Sequence, residues 1–367
     1  MKTFFKRFWV FIPLVLAVMM YFILPHFPAV TEYVFSRGLF KIITVPLGFL
    51  VSLVPISLTE WIVILAAPAV ITLIVILIVK LVKRKGGRKK LLLKAGKFTV
   101  AVISCLAFMY MACHGANYYR YPMEKLMNLD TSRKTPEDLY NACVFLAKGA
   151  AEARAELGIS EDEPFTFSES IYTELSRANS GYTAIVDEYP FLWSSCLRQK
   201  PVILSEPWSY TGITGVYCPF IVESNVNTAQ PDYGIPMTAA HESAHLRGVA
   251  FENECNFLAF LSCINSEYPE YRYSGYMEAF VYCSNALYNY DEDIWRGTQQ
   301  YVTAGMYRDF AELNKYIDDH KGKVKEVSND FNDNFIKAQG VSDGVLSYDR
   351  VTELILAYLQ QQRQGGA

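Results

Sequence analysis

Two long apolar runs without a single charge dominate the first part of this chain. Residues 8–24 read FWVFIPLVLAVMMYFIL and residues 61–79 read WIVILAAPAVITLIVILIV. As helices, runs of this length match the hydrocarbon thickness of a bilayer. A third run, 98–113 (FTVAVISCLAFMYMAC), reaches spanning length as 94–113 if Lys94 and Lys97 snorkel from its start. Between the first two, GLFKIITVPLGFLVSLVPISL at 38–58 is apolar but interrupted by Pro46 and Pro55. It reads as an interfacial or re-entrant helix. Residues 1–113 thus form a membrane region, with spans at about 8–24, 61–82 and 94–113 and the lipid bilayer as partner. The first run lacks an A-x-A-like cleavage site, so it reads as an uncleaved anchor.

Charge sets the expected orientation. KLVKRKGGRKK, at 80–90, follows the second run and carries seven Lys and Arg residues, whereas the segment between the first two runs has only Arg37 and Lys41. Short basic loops stay in the cytoplasm, and the N-terminus, with Lys2, Lys6 and Arg7, is basic too. Three spans then place everything from residue 114 outside, in a multi-pass protein of the cell membrane. A crossing by 38–58 would reverse this. The net charge of -3 is too small to imply a strongly charged partner, and no nucleic-acid-binding module is evident.

Residues 114–367 are enough for a large domain. The pattern is mainly α with a small β-sheet. Thr135 reads as an N-cap, with Pro136 in the first turn and Gly158 as the stop of a long helix. SIYTELSRANSGYTAIVDEYP holds a further short helix. Residues 200–228 are rich in Val, Ile, Tyr, Phe and Thr between glycines and prolines, which predicts short strands, with Asn225 and Asn227 serving turns. Helix resumes within 266–288 and again in 347–362. The cysteines beyond the membrane show no framework spacing, and several occupy apolar helical positions, where buried thiols are expected.

Within this domain stands TAAHESAHLRGVAFENECNF, residues 238–257. His241 and His245 are four apart, so a helix presents both on one face. Two imidazoles so placed can bind one Zn²⁺, and Glu242 can serve as the general base that activates water. Thr238 is the expected N-cap and Gly248 the residue that ends the helix. A third ligand is needed. The position six residues after His245 is Phe251, which excludes a third histidine there. Glu252 and Asn256 are again four apart. Glu252 can ligate while Asn256 holds a ligand imidazole from behind. Glu254 is the alternative ligand, and otherwise a solvated helix residue. Gly248 must then fold the second helix straight back over the first.

HESAH followed by ENECN resembles the glutamate-ligand zincin metallopeptidases, the gluzincins, in which a downstream E-x-x-A-[DN] helix brings the third ligand. Cys255 stands here for the usual alanine. GITGVYCPFIVESNVNT, the motif segment and DGVLSYDRVTELILAY together resemble a family of uncharacterised bacterial membrane proteins with N-terminal spans, a domain of unknown function. The resemblance implies an α+β zincin-like ectodomain and a metal site, and it makes Tyr348 and Arg350 candidates for stabilising a transition state. It also suggests that an edge strand in GITGVYCPFIVESN pairs with an extended peptide.

The expected function is a membrane-anchored zinc metallopeptidase acting on peptide bonds of cell-envelope proteins or peptides. The alternative is a non-catalytic sensor or scaffold that keeps the zincin fold. Oligomeric state is not legible.

Overall fold

The computed structural model describes residues 8–84, 86–132, 135–193, 195, 197–338 and 350–365. It is mainly helical and has two compact units, one comprising Met1–Arg120 with Cys218–Val222, the other Tyr121–Tyr217 with Glu223–Ala367.

Four helices of the first unit are long and apolar enough to cross a membrane: Trp9–His26, Pro28–Ser52, Leu58–Lys83 and Arg88–Cys113. Within them lie α1 (Ile12–Ile23), α2 (Phe40–Ser52), α3 (Leu58–Lys83) and α4 (Arg88–Cys113). Residues 38–52 of the segment expected at 38–58 are therefore one part of a longer helix that begins at Pro28, and 53–57 form the turn before α3. Pro46 sits inside α2, and residues Thr31–Leu39 before it wind as a wide π-type turn. Between α3 and α4 the Arg88 guanidinium closes the connection on the carbonyls of Leu81 and Arg84. α1 and α4 run parallel. At one end Lys97 lies over the Trp9 ring. Toward the other, Ala17, Met20 and Leu24 pack with Ala107, Phe108 and Met111.

The second unit is built on α5 (Pro136–Leu157), α6 (Ile235–Leu246), α7 (Glu252–Ile264), α8 (Pro269–Tyr290), α9 (Ala304–Asp319), α10 (Lys323–Ala338) and α11 (Val351–Gly365). α5 starts and stops where its sequence says. Thr135 and Asp138 form a reciprocal capping box, and Gly158 follows the last turn. The single short helix expected next is two, Ile171–Ser176 and Ser180–Ile185. The β region is a three-stranded sheet of β1 (Gln199–Pro201), β2 (Gly215–Cys218) and β3 (Glu223–Val226), in the order β1-β3-β2. β1 and β3 are parallel, with Gln199 opposite Ser224. Asn225 is a buried strand residue rather than a turn residue. Asn227 does serve a turn, accepting from Ala229 N–H.

One core joins α5, α6, α7, α8 and α11. The motif helix α6 is buried along nearly its whole length, including Glu242, Ser243 and His245. Its small side chains, Ala239, Ala240 and Ala244, let β3 and α7 approach closely. Burying so polar a helix is tolerable only if its polar groups are paired. Ser224 donates to the Glu242 carbonyl, Tyr182 to the Ala240 carbonyl, and Ser243 to Asn179. Arg247, fully buried, donates to Leu192 and Ser243 carbonyls and to Asn179, and its guanidinium lies 3.9 Å from the Tyr182 ring centroid. Cys143 and Cys263 are buried thiols of this core.

Candidate metal centre

α6 begins earlier than its sequence suggests. Its first residue is Ile235, with Pro236 in the first turn, so Thr238 lies inside the helix and is not its N-cap. Proline needs no N–H partner there and is preset to helical φ. The Thr238 hydroxyl instead meets the Gln230 side chain. The end of the helix is as expected. Gly248 has φ 78°, a left-handed conformation that only glycine adopts without strain. It reverses the chain within a few residues, and α7 lies back against α6.

That reversal brings Glu252 to both histidines. One of its oxygens is 3.1 Å from His241 Nε2 and the other 3.7 Å from His245 Nε2. Behind the rings, His241 Nδ1 is 2.7 Å from Asn256 Oδ1 and His245 Nδ1 is 2.9 Å from the Val249 carbonyl. A carbonyl can only accept, so each Nδ1 carries the hydrogen and each Nε2 is the atom turned to Glu252. The ring of Tyr217, from β2, stacks near-parallel to His245 with centroids 6.0 Å apart.

Glu242 sits beside this cluster and is buried. Among the described residues its Oε2 has no hydrogen-bond partner. Buried carboxylate oxygens are rarely left so. β2 is an edge strand of the sheet, and Gly215 on it approaches Glu242 closely. A Cβ at Gly215 would stand 2.5 Å from Glu242 Oε1 and 2.8 Å from Thr238 Cγ2. Any larger residue would displace the carboxylate.

The electrostatics follow from burial and proximity. Burial alone pushes the His241 imidazolium down, but its hydrogen bond to Glu252 and the charges of Glu252 and Glu242 raise it to about 9. Burial lifts the Glu242 carboxyl to about 8, with His241 opposing and Glu252 reinforcing. His245 is held below its usual value by burial, against the pull of Glu252. On α8, Tyr282 is raised by burial first, with charge from Glu278 and Glu252 adding to it.

The donor set fits a borderline cation such as Zn²⁺: two imidazole Nε2 atoms and one carboxylate, with the ring orientations fixed from behind and a buried carboxylate oxygen left over. Cys255 offers a competing set, since its Sγ and one nitrogen of each histidine lie within 4.8 Å of one another. We favour Glu252. Cys255 Sγ contacts His245 at Nδ1, 3.3 Å away, and that atom is already committed to Val249.

Glu254 is not a solvated helix residue. It is buried and accepts the Met123 N–H at 2.7 Å, so it anchors the first turn of α7. Arg350 is exposed just before α11, and Tyr348 lies outside the described residues. Sequence reasoning missed Gly215, Tyr217 and the Val249 carbonyl. The run GVYC was legible as a strand, but nothing local showed that it lies against α6.

No curated protein and no solved structure matches this chain. A family model described as "Protein of unknown function (DUF3810)" matches residues 35–356. That match includes every residue of the cluster around Glu252 and most of the apolar helices, and on its extent the chain belongs to the DUF3810 family.

Proposed function

We propose that the domain following the apolar helices is a zinc metallopeptidase of the glutamate-ligand zincin class, held on a membrane. One observation carries the reading. Two imidazoles and a carboxylate converge, both imidazoles are oriented from behind, and beside them stands a buried glutamate with an oxygen that has no hydrogen-bond partner among the described residues.

His241, His245 and Glu252 would hold the ion. A divalent cation there supplies a Lewis acid that polarises a carbonyl and makes water acidic near neutral pH. Glu242 takes the proton of the attacking water and returns it to the leaving amine. Its buried setting, which raises its proton affinity, suits a group that both accepts and donates. Asn256 and Val249 fix the imidazole planes. Gly215 leaves space over Glu242, and β2, as an edge strand, offers backbone groups to which an extended peptide can add as a further strand.

Topology supports envelope substrates. α1 and α4 run parallel, so they cross in the same direction. α3 is joined to α4 by a few residues and must return in the opposite one. The helix Pro28–Ser52 then begins and ends on one side, as a re-entrant or interfacial element. With the basic 80–90 loop inside, three crossings leave the domain outside, where peptides and proteins of the cell envelope are the accessible substrates.

The test is hydrolysis. The purified full-length chain should cleave members of a mixed peptide library, lose that activity to a zinc chelator, and regain it when zinc is restored. Cleavage that persists after the metal is removed would contradict the proposal.

A further inference from the structure

Glu278 stands near the middle of α8 and takes no part in the cluster around Glu252. Among the described residues it makes no hydrogen bond or ion pair. It is partly exposed, so a ligand can reach it. Its surroundings are nevertheless dense enough that burial alone lifts its carboxyl to about 7, and no cation counters the shift. A carboxylate in such a place is costly unless a positive partner completes it. Two hydroxyls near it are left open as well. Tyr233 is buried, and its hydroxyl has no hydrogen-bond partner among the described residues. The Tyr282 hydroxyl has none among them either. The charge of Glu278 acts on both tyrosines more strongly than any other charge.

Helix packing places this group beside the metal centre. α7 and α8 form an antiparallel pair, and a Cβ at Gly275 would stand 2.5 Å from the Cys263 Cβ. From there α8 runs back along α7 toward Glu252, and reaches Glu278 after about one turn and Tyr282 after about two. Glu278 and Tyr282 are four apart, so they share a face. That face is turned to α6, since Ser274, one turn earlier, accepts the Met237 N–H at 3.0 Å. α6 and α8 both oppose α7 and so run in one sense. Four residues past that hydrogen bond lie His241 on α6 and Glu278 on α8, at about the same level. Tyr282 also feels the charge of Glu252, so it is within reach of both carboxylates.

We propose that Glu278, with the hydroxyls of Tyr282 and Tyr233, is the subsite that receives an ammonium group of the peptide substrate. An ammonium carries three N–H donors and no acceptor, and a carboxylate with two hydroxyl oxygens offers it three acceptors. Pairing with an ionised carboxylate makes those hydrogen bonds short and strong. The ammonium is the substrate's own N-terminus or a lysine side chain. The inference rests on the metallopeptidase reading and adds to it a preference for cationic substrates.

Binding would be measured by calorimetry on zinc-loaded, full-length protein carrying Glu242→Gln, so that turnover does not consume the probes. The probes are alanine tetrapeptide amides with a free or an acetylated N-terminus, and acetylated ones with lysine or norleucine at each position in turn. We expect a cationic probe to bind about tenfold or more tighter than its neutral counterpart, as hydrogen bonds to a charged group give. A preference for the free N-terminus identifies the terminal ammonium as occupant, and a preference for lysine identifies the side chain. Adding Glu278→Gln should abolish the preference and Glu278→Asp should keep part of it, with zinc content unchanged in both. Equal binding of cationic and neutral probes, or a preference that survives Glu278→Gln, would overturn the subsite while hydrolysis by the unaltered chain stands. Failure of the unaltered chain to hydrolyse any peptide would remove the peptidase reading and the subsite with it.

Discussion

Replacing Glu242 by Gln is expected to abolish peptide hydrolysis and leave the metal in place. The amide keeps the size of the side chain and the close approach of Gly215, but it cannot take a proton. Loss of a general base costs about 10²- to 10⁴-fold in rate, and the effect should fall on kcat. Because Glu242 is not one of the three converging groups, zinc content should match that of the unaltered chain. Glu242→Gln protein that still turns over at the original rate would remove the proposed base. Loss of zinc along with activity would move Glu242 into the ligand set.

The second large effect is expected at Glu252. Its carboxylate bridges the two Nε2 atoms, so Glu252→Ala should weaken zinc binding further than Asn256→Ala. The latter only frees the His241 ring from behind, a change worth on the order of 10- to 100-fold in affinity. Competition against a fluorescent zinc chelator ranks the two. Equal affinity in Glu252→Ala and the original chain would shift the third ligand elsewhere, with Cys255 next in line. The same titration carries a pH signature. His241 in the metal-free protein is raised to about 9, so near neutral pH it is protonated and zinc must displace that proton. Affinity should therefore climb as pH rises and level off near 9, by up to about tenfold per pH unit for one proton displaced.

Much of this site could be read from a dozen letters, because the information is local. The spacing of His241 and His245, the glycine at 248 and the spacing of Glu252 and Asn256 each dictate a helix face or a turn without reference to the rest of the chain. The errors arose where distant residues decide. Glu254 looks like a surface residue until Met123, far back in the sequence, is found to donate to it. Thr238 has the chemistry of an N-cap, but Pro236 can open the helix a turn sooner and tertiary burial extends it that way. Gly215 and Tyr217 belong to a strand whose own sequence was legible, yet its contact with α6 is a matter of packing. In the membrane region, composition located the apolar helices. It could not show that α1 and α4 run parallel, and that packing is what argues against a full crossing by Pro28–Ser52.

The central claim is that His241, His245 and Glu252 form a zinc site. Metal analysis of the purified full-length chain, in parallel with the His241→Ala/His245→Ala double variant, tests it most directly. The account predicts about one zinc per chain in the first and none in the second, with the variant still folded by its helical circular dichroism. A wild-type chain that stays metal-free after exposure to zinc would contradict it. The contact between His241 and Glu252 would then be a structural ion pair, and the protein a non-catalytic sensor or scaffold.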